Sequence, residues 1–331
     1  MALFDSIRLG ASAAGEDYTI NRSLRFNSSD STQVENTSLG TSPTNRKKAT
    51  ISLWFKRGNN LTSNMGMLTH GYSGSGSSAS GAVFRFKDSG TRLAIMNDTN
   101  NSTDWQVTPN RFFRDPTAWY HIVVAIDTTQ GTASDRVKIY INGVQETDFE
   151  TANYPSQNFD NLYNYEKARY GAWDGNGYYL GYNGYLAEIN SIDGEQLTPA
   201  SFGETNATTG QWIPKEYTGS YGNNGHYLNF SDNSGTTATT LGKDNSGNGK
   251  NFTPYNFGTG DAGKDTPTNN FCTLSAIYDA GAAYGSGVLS EGGLRYTGGS
   301  SNRSIGSTFG IRHTDTQGYY FEARIISGNQ A

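Results

Sequence analysis

Residues 119–147 read WYHIVVAIDTTQGTASDRVKIYINGVQET, and this stretch decides the fold. Tyr120, Ile122, Val124 and Ile126 alternate with His121, Val123 and Ala125. Period two in β-branched residues predicts a strand, and apolar residues on both sides predict that both faces are covered. Val137, Ile139 and Ile141 repeat the pattern, with Arg136, Lys138 and Tyr140 facing the other way. Asn142-Gly143 follows. A type I′ turn needs positive φ at both central residues, so this dipeptide predicts a hairpin that folds back at Val144.

Working outward, ATISLWFKRG (49–58) carries Trp54 in an alternating run with Ile51 and Leu53. Trp54 and Trp119 are expected in the core. GAVFRFKDSGTRLAIMND (81–98) predicts a hairpin turning at Asp88-Ser89-Gly90, with Phe84 and Phe86 across from Leu93 and Ile95. Ser23-Leu24-Arg25-Phe26 opens the first sandwich. Three polar segments are expected as loops: 71–81, 97–110 and the tyrosine-rich 150–179. Long loops with aromatics tend to bind something or pack on a neighbour.

Composition narrows the class. Of 331 residues only 34% are hydrophobic, yet 21 Tyr, 16 Phe and 5 Trp exclude a disordered chain. Abundant Gly, Asn, Ser and Thr suit a β-sandwich with many tight turns. The length favours two domains. A net charge of −5 leaves no electrostatic footprint for nucleic acid, and Arg46-Lys47-Lys48 reads as a short solvated run. Cys272 stands alone, which excludes an internal disulfide and a C-x-x-C metal site; a buried structural thiol is expected. No segment has the length and apolarity of a membrane span. Asp5 and Arg8 interrupt the opening MALFDSIRLGASAAG, so no secretion signal is read there; a cytosolic protein, or one released by lysis, is expected.

Three segments carry a resemblance. The aromatic-His strand with V-K-I-Y-I-N-G-V, the segment ATISLWFKRG, and YNGYLAEINSIDGEQLTPASFGE (182–204) together resemble laminin-G/pentraxin-like concanavalin A domains. The fold implied is a jelly-roll sandwich over roughly 20–204, a fold that serves lectins, adhesins, glycosidases and structural modules alike. Gly318-Tyr319-Tyr320-Phe321-Glu322-Ala323-Arg324-Ile325 resembles the opening strand of SPRY domains, another concanavalin-like sandwich, with about a third of it present. The opening FDSIRLGASAAG, the connector ETNATTGQWIPKEYTGSYGNNGHYLNFSD, LGKDNSGNGKNFTPYNF and DTPTNNF resemble virion proteins of marine bacteriophages. That resemblance implies a structural, tail fibre-like component, found in the particle and assembled in the host cytoplasm.

A retaining glucanase needs two carboxylates on one strand face. Glu188 is the nearest analogue, but Asn190 and Ile192 stand where a second carboxylate is needed; Glu322 is followed by Arg324 and Ile326. No catalytic residue is assigned. Asp174-Gly175-Asn176-Gly177 and Asp244-Asn245-Ser246-Gly247-Asn248 offer oxygen ligands of the kind Ca²⁺ takes, with Asp174 and Asn176 as the metal candidates. Turn chemistry accounts for both runs, and no cofactor is expected. His70, His121, His226 and His313 show no ligand spacing, and His121 reads as a satisfied core residue. Trp105, Tyr163, Tyr165, Tyr170 and Trp173 are the candidate glycan or protein contacts, since aromatic rings serve both.

The sequence therefore predicts an all-β chain in four parts. These are an N-terminal attachment arm (1–19), a concanavalin A-like jelly-roll sandwich (20–204), an irregular connector (205–270) and a partial second β-sandwich, the start of a SPRY-like one (271–331). The function expected is a non-enzymatic virion structural protein, a tail fibre or similar appendage. Leu3, Phe4, Ile7 and Leu9 dock it on other virion proteins, and copies associate, a trimer being the expected number. The alternative is a carbohydrate-binding adhesion module contacting host surface polysaccharide. Neither nucleic acid nor membrane insertion is expected.

Overall fold

Period two in both segments brings β3 (Lys48–Arg57) and β8 (Trp119–Asp127) together, antiparallel from Lys48↔Asp127 to Lys56↔Trp119. Around this pair, the computed structural model describes residues 18–58, 64–73, 80–88, 90–175, 178–275, 288–290, 294–297 and 306–307. β9 (Val137–Ile141) pairs with β8, and β10 (Val144–Gln145) folds back on β9. Asn142 and Gly143 have φ of 48° and 79°, as a type I′ turn requires. On the other side β3 pairs with β15 (Gly184–Asp193), which pairs in turn with β1 (Ser23–Phe26).

The second sheet contains β2 (Gln33–Gly40), β4 (Met65–Ser73), β5 (Ser80–Lys87), β6 (Arg92–Thr99), β7 (Ser102–Pro109), β11 (Phe149–Asn153) and β12 (Glu166–Tyr170). Their order is β11-β7-β6-β5-β4-β12-β2. Alternation turns Ile51, Leu53, Phe55, Ile122, Val124 and Ile126 of the first sheet toward Phe84, Phe86, Leu93, Ile95 and Val107 of the second. All are buried in one core, the arrangement of a β-sandwich. Phe84↔Ile95 and Phe86↔Leu93 are cross-strand partners, as the hairpin reading requires.

Two segments read as loops are strands. Asn100 and Asn101, at φ of 51° and 58°, turn the chain between β6 and β7, so 97–110 is largely a hairpin. Within 150–179 lie β11, β12, β13 (Ala172–Gly175) and the start of β14 (Tyr178–Gly181); β13 and β14 form a hairpin of their own.

The connector holds β16 (Gly203–Thr205) against β17 (Trp212–Pro214), and also β18 (His226–Leu228), β19 (Thr253–Tyr255) and β20 (Ala262–Gly263). β18 pairs with β15, β19 with β2 and β20 with β1, so the connector extends both sheets. It also builds a third layer on the outer face of the first sheet. There Trp54, Trp119, Tyr185, Ala187 and Ile20 pack with Tyr18 and Trp212. Val123, Ile192 and Phe202 pack with Leu197, Tyr217 and Tyr221. Trp54 and Trp119 are thus buried, though outside the space between the sheets. Trp212 also covers the hairpin turn: a Cβ on Gly143 would lie 2.5 Å from its ring.

Beyond the connector, Leu274–Ser275 pairs with Gly306–Ser307 and Val288–Ser290 with Arg295–Thr297. Cys272 is exposed, not buried as expected, because the chain has left the sandwich at Phe271. Leu3, Phe4, Ile7 and Leu9, and the SPRY-like strand 318–325, lie outside the described residues. No helix among the described residues is long and apolar enough to cross a membrane.

Candidate functional site

β2 and the connector run side by side only as far as Thr253↔Glu35. Beyond that pair they splay apart and leave a polar cleft of about 390 Å³ between Glu35–Ser38 and Asn248–Tyr255. Two bonds hold its width: Asn36 Nδ2 donates to Asn251 O at 2.8 Å, and Lys250 Nζ to Leu39 O at 2.6 Å. Strand alternation places Glu35, Thr253 and Tyr255 on one face. Tyr255, which lines the cleft, is 41% exposed, and its hydroxyl bonds to Glu35.

Glu35 is the cleft's carboxylate. Arg169, its register partner on β12, donates to it at 2.8 Å, and the Tyr72 hydroxyl donates to the same oxygen. Burial alone would raise the Glu35 pKa; the bonds from Tyr72 and Arg169 outweigh it and hold the carboxyl below its usual range. Tyr72 responds in the opposite sense: burial and the Glu35 carboxylate push its phenol up. Arg169 also lies over the Tyr72 ring at 4.5 Å. The result is a fixed, ionised acceptor beside an exposed ring and several amides and hydroxyls.

The aromatics singled out by sequence lie elsewhere. Trp105 and Tyr170 are wholly buried and Tyr163 is 2% exposed, so none of the three is a glycan or protein contact. Each lies on or beside a strand of the second sheet and points inward. Tyr165 and Trp173 are half-buried, with guanidiniums over their rings: Arg46 at 4.2 Å and Arg85 at 4.9 Å. The basic run is used locally too, since Lys47 meets Asp160 at 2.7 Å and Lys48 meets Asp127 at 3.2 Å.

Glu188 is not presented for catalysis. Its backbone, at φ of 52°, forms a bulge in β15 between the stretches paired with β1 and β18. One carboxylate oxygen accepts from Tyr18 and Tyr227, both at 2.6 Å. Burial raises its pKa, and those two hydroxyls oppose the rise. At 5% exposure the group is closed off under the third layer.

Asp244 organises a turn. One oxygen accepts from the backbone of Tyr227 and Ser246, both at 2.9 Å. The other accepts from Lys250 N at 2.8 Å and Ser246 Oγ at 2.9 Å. Asp174 falls in β13, and Asn176 lies outside the described residues. Among the described residues no group of three or more His, Cys, Asp or Glu could hold a metal ion.

Comparison places this geometry among known folds. The family model that matches residues 26–190 is a laminin G one, described as the concanavalin A-like lectin/glucanases superfamily. No curated protein matches the chain. It is similar to a candidate carbohydrate-binding protein of Bacteroides ovatus at 13% identity and TM-score 0.42, over 72% of this chain and 58% of that one. It is also similar to a heptameric SAP-like pentraxin of Limulus polyphemus at 13% identity and TM-score 0.37, over 59% and 92%. The third is mouse laminin α1 domains LG4-5, at 12% identity and TM-score 0.36, over 67% and 52%. The chain spans just over half of the Bacteroides and mouse chains, at 58% and 52%. This protein is thus an all-β sandwich of the concanavalin A-like lectin/glucanase fold, similar over residues 26–190 to laminin G domains.

Proposed function

We propose that the sandwich and its connector form a carbohydrate-binding module, with a polysaccharide chain lying in the cleft between β2 and Asn248–Tyr255. The observation that carries this reading is the pairing of an exposed Tyr255 with a fixed Glu35 carboxylate in a groove of amides and hydroxyls. An aromatic face accepts the C–H face of a sugar ring, and convergent polar groups orient its hydroxyls. The matched superfamily includes lectins, which supports the reading. The role proposed is binding without hydrolysis.

The test is a glycan array followed by calorimetry. Tyr255→Ala is expected to lower affinity about tenfold, the roughly 1.4 kcal/mol of one stacked ring. A chain that binds no glycan on the array would end this reading.

The connector motifs that resemble phage virion proteins build one wall of the cleft, and this favours a setting for it. We propose an appendage that presents the cleft to a host surface, docked through Leu3, Phe4, Ile7 and Leu9 and assembled as a trimer. Deleting residues 2–12 should then abolish incorporation into particles while leaving the sandwich folded. Normal incorporation of the truncated chain would exclude the docking role.

A further inference from the structure

The charges of the cleft are unequal. Glu35 is matched by Arg169 at 2.8 Å and by the Tyr72 hydroxyl, so that corner carries no net charge. Lys250 on the opposite wall has no such match. Among the described residues, no carboxylate lies within 4.0 Å of its ammonium. The nearby Asp244 is turned away, its oxygens engaged by Tyr227 N, Ser246 and the Lys250 backbone N–H. An ammonium carries three donors, and Leu39 O takes one of them at 2.6 Å. Asn251 adds to this wall: its Oδ1 accepts from Asp244 N at 2.9 Å, which leaves its NH₂ to donate. The wall is therefore rich in donors and positively charged.

From this we infer that the cleft selects polysaccharides whose sugar units carry a carboxylate, and that Lys250 sets the selection. The inference rests on the carbohydrate reading above. A carboxylate beside Lys250 gains a charge-assisted bond, roughly twice as strong as a neutral one. Lys250 is half-buried, so bulk salt screens the pair less than an exposed one. A neutral hydroxyl at the same place gains only an ordinary hydrogen bond.

The experiment compares polygalacturonate with the same polymer after carboxyl reduction, titrated into the full chain. The native protein is expected to bind the acidic polymer about tenfold more tightly, and the ratio should shrink as salt is raised. Lys250→Met should bring the ratio to about one, the acidic polymer losing more affinity than the neutral one, and Lys250→Arg should preserve it. Circular dichroism of each variant checks the fold; the native ratio and its salt dependence stand even if Lys250→Met misfolds. Equal affinity for the two polymers overturns the inference and leaves the carbohydrate reading intact. Binding of neither removes both. A preference that survives Lys250→Met overturns the assignment to Lys250.

Discussion

Lys56 Nζ lies 2.9 Å from Asp265 Oδ2, joining the first sheet's outer face to the end of the connector. The Lys56 side chain is 1% exposed, and its ammonium also donates to Asn270 Oδ1 at 2.8 Å and Phe271 O at 3.0 Å. Asp265 Oδ1 in turn accepts from Trp119 Nε1 at 3.0 Å and Phe271 N at 3.2 Å. The run DTPTNNF is thus a clasp. Asp265→Ala should strand a buried ammonium and cost about 3 to 5 kcal/mol, read as a lower urea midpoint. An unchanged midpoint would mean that the clasp contributes nothing.

Acid should loosen both the core, through His70 and His226, and the outer layer, through His121. His226 is held down to about 4 by burial, with Asp244 raising and Lys250 lowering it; His121 is held down to about 3 by burial. His70 is lowered by burial and by the facing His226. Tyr170 bridges His70 and His226, at 3.2 Å and 2.6 Å. All three folded pKa values lie below the ordinary 6.5 of the unfolded chain. Below pH 6.5 the unfolded state therefore takes protons that the folded state refuses. Stability is complete above that pH and drains as pH falls toward 4, by about 1.4 kcal/mol per unit for each histidine. Melting temperatures between pH 7 and 4.5 measure this; a flat profile contradicts it.

Trp105→Ala separates a core role from a contact role. The ring is wholly buried, and Trp105 Nε1 donates to Asn161 Oδ1 at 3.2 Å. The expected loss is about 3 to 5 kcal/mol, with glycan affinity of the remaining folded fraction unchanged. Trp54→Ala, on the outer face, should cost a similar amount. Full stability in either variant would show that the strand is misplaced.

Glu188 offers a test of the binding-only reading. Glu188→Ala removes the acceptor shared by the Tyr18 and Tyr227 hydroxyls; these lie 2.9 Å apart, so one can donate to the other and one is stranded, at about 1 to 3 kcal/mol. The native chain should release no reducing ends from any polysaccharide it binds. Release of reducing ends that vanishes in Glu188→Gln would restore the glucanase reading.

The central hairpin was legible because its signals are local: period two in Ile122, Val124 and Ile126, and positive φ at Asn142-Gly143. Trp105 was misread because Asn100-Asn101 turns the chain without the usual glycine, so a polar hairpin looked like a loop. Tyr165 and Trp173 were visible as aromatics, but the arginines over them come from Arg46 and Arg85, far away in sequence. The cleft was not legible at all. Its walls are β2 and a run some two hundred residues later, and alternation within one strand says nothing of which segment will lie beside it. The one local hint was Tyr255 between Pro254 and Asn256, an aromatic in a turn-rich run.

The third layer also bears on synthesis. Trp54, Trp119 and Tyr185 emerge from the ribosome well before Trp212 and Asp265, which cover or clasp them. β1, among the first strands made, waits for β20 to complete its pairing. Pairings this distant close slowly. A nascent chain therefore carries a sticky aromatic face until the connector is made, and its solubility at that stage depends on how quickly residues 212–265 arrive.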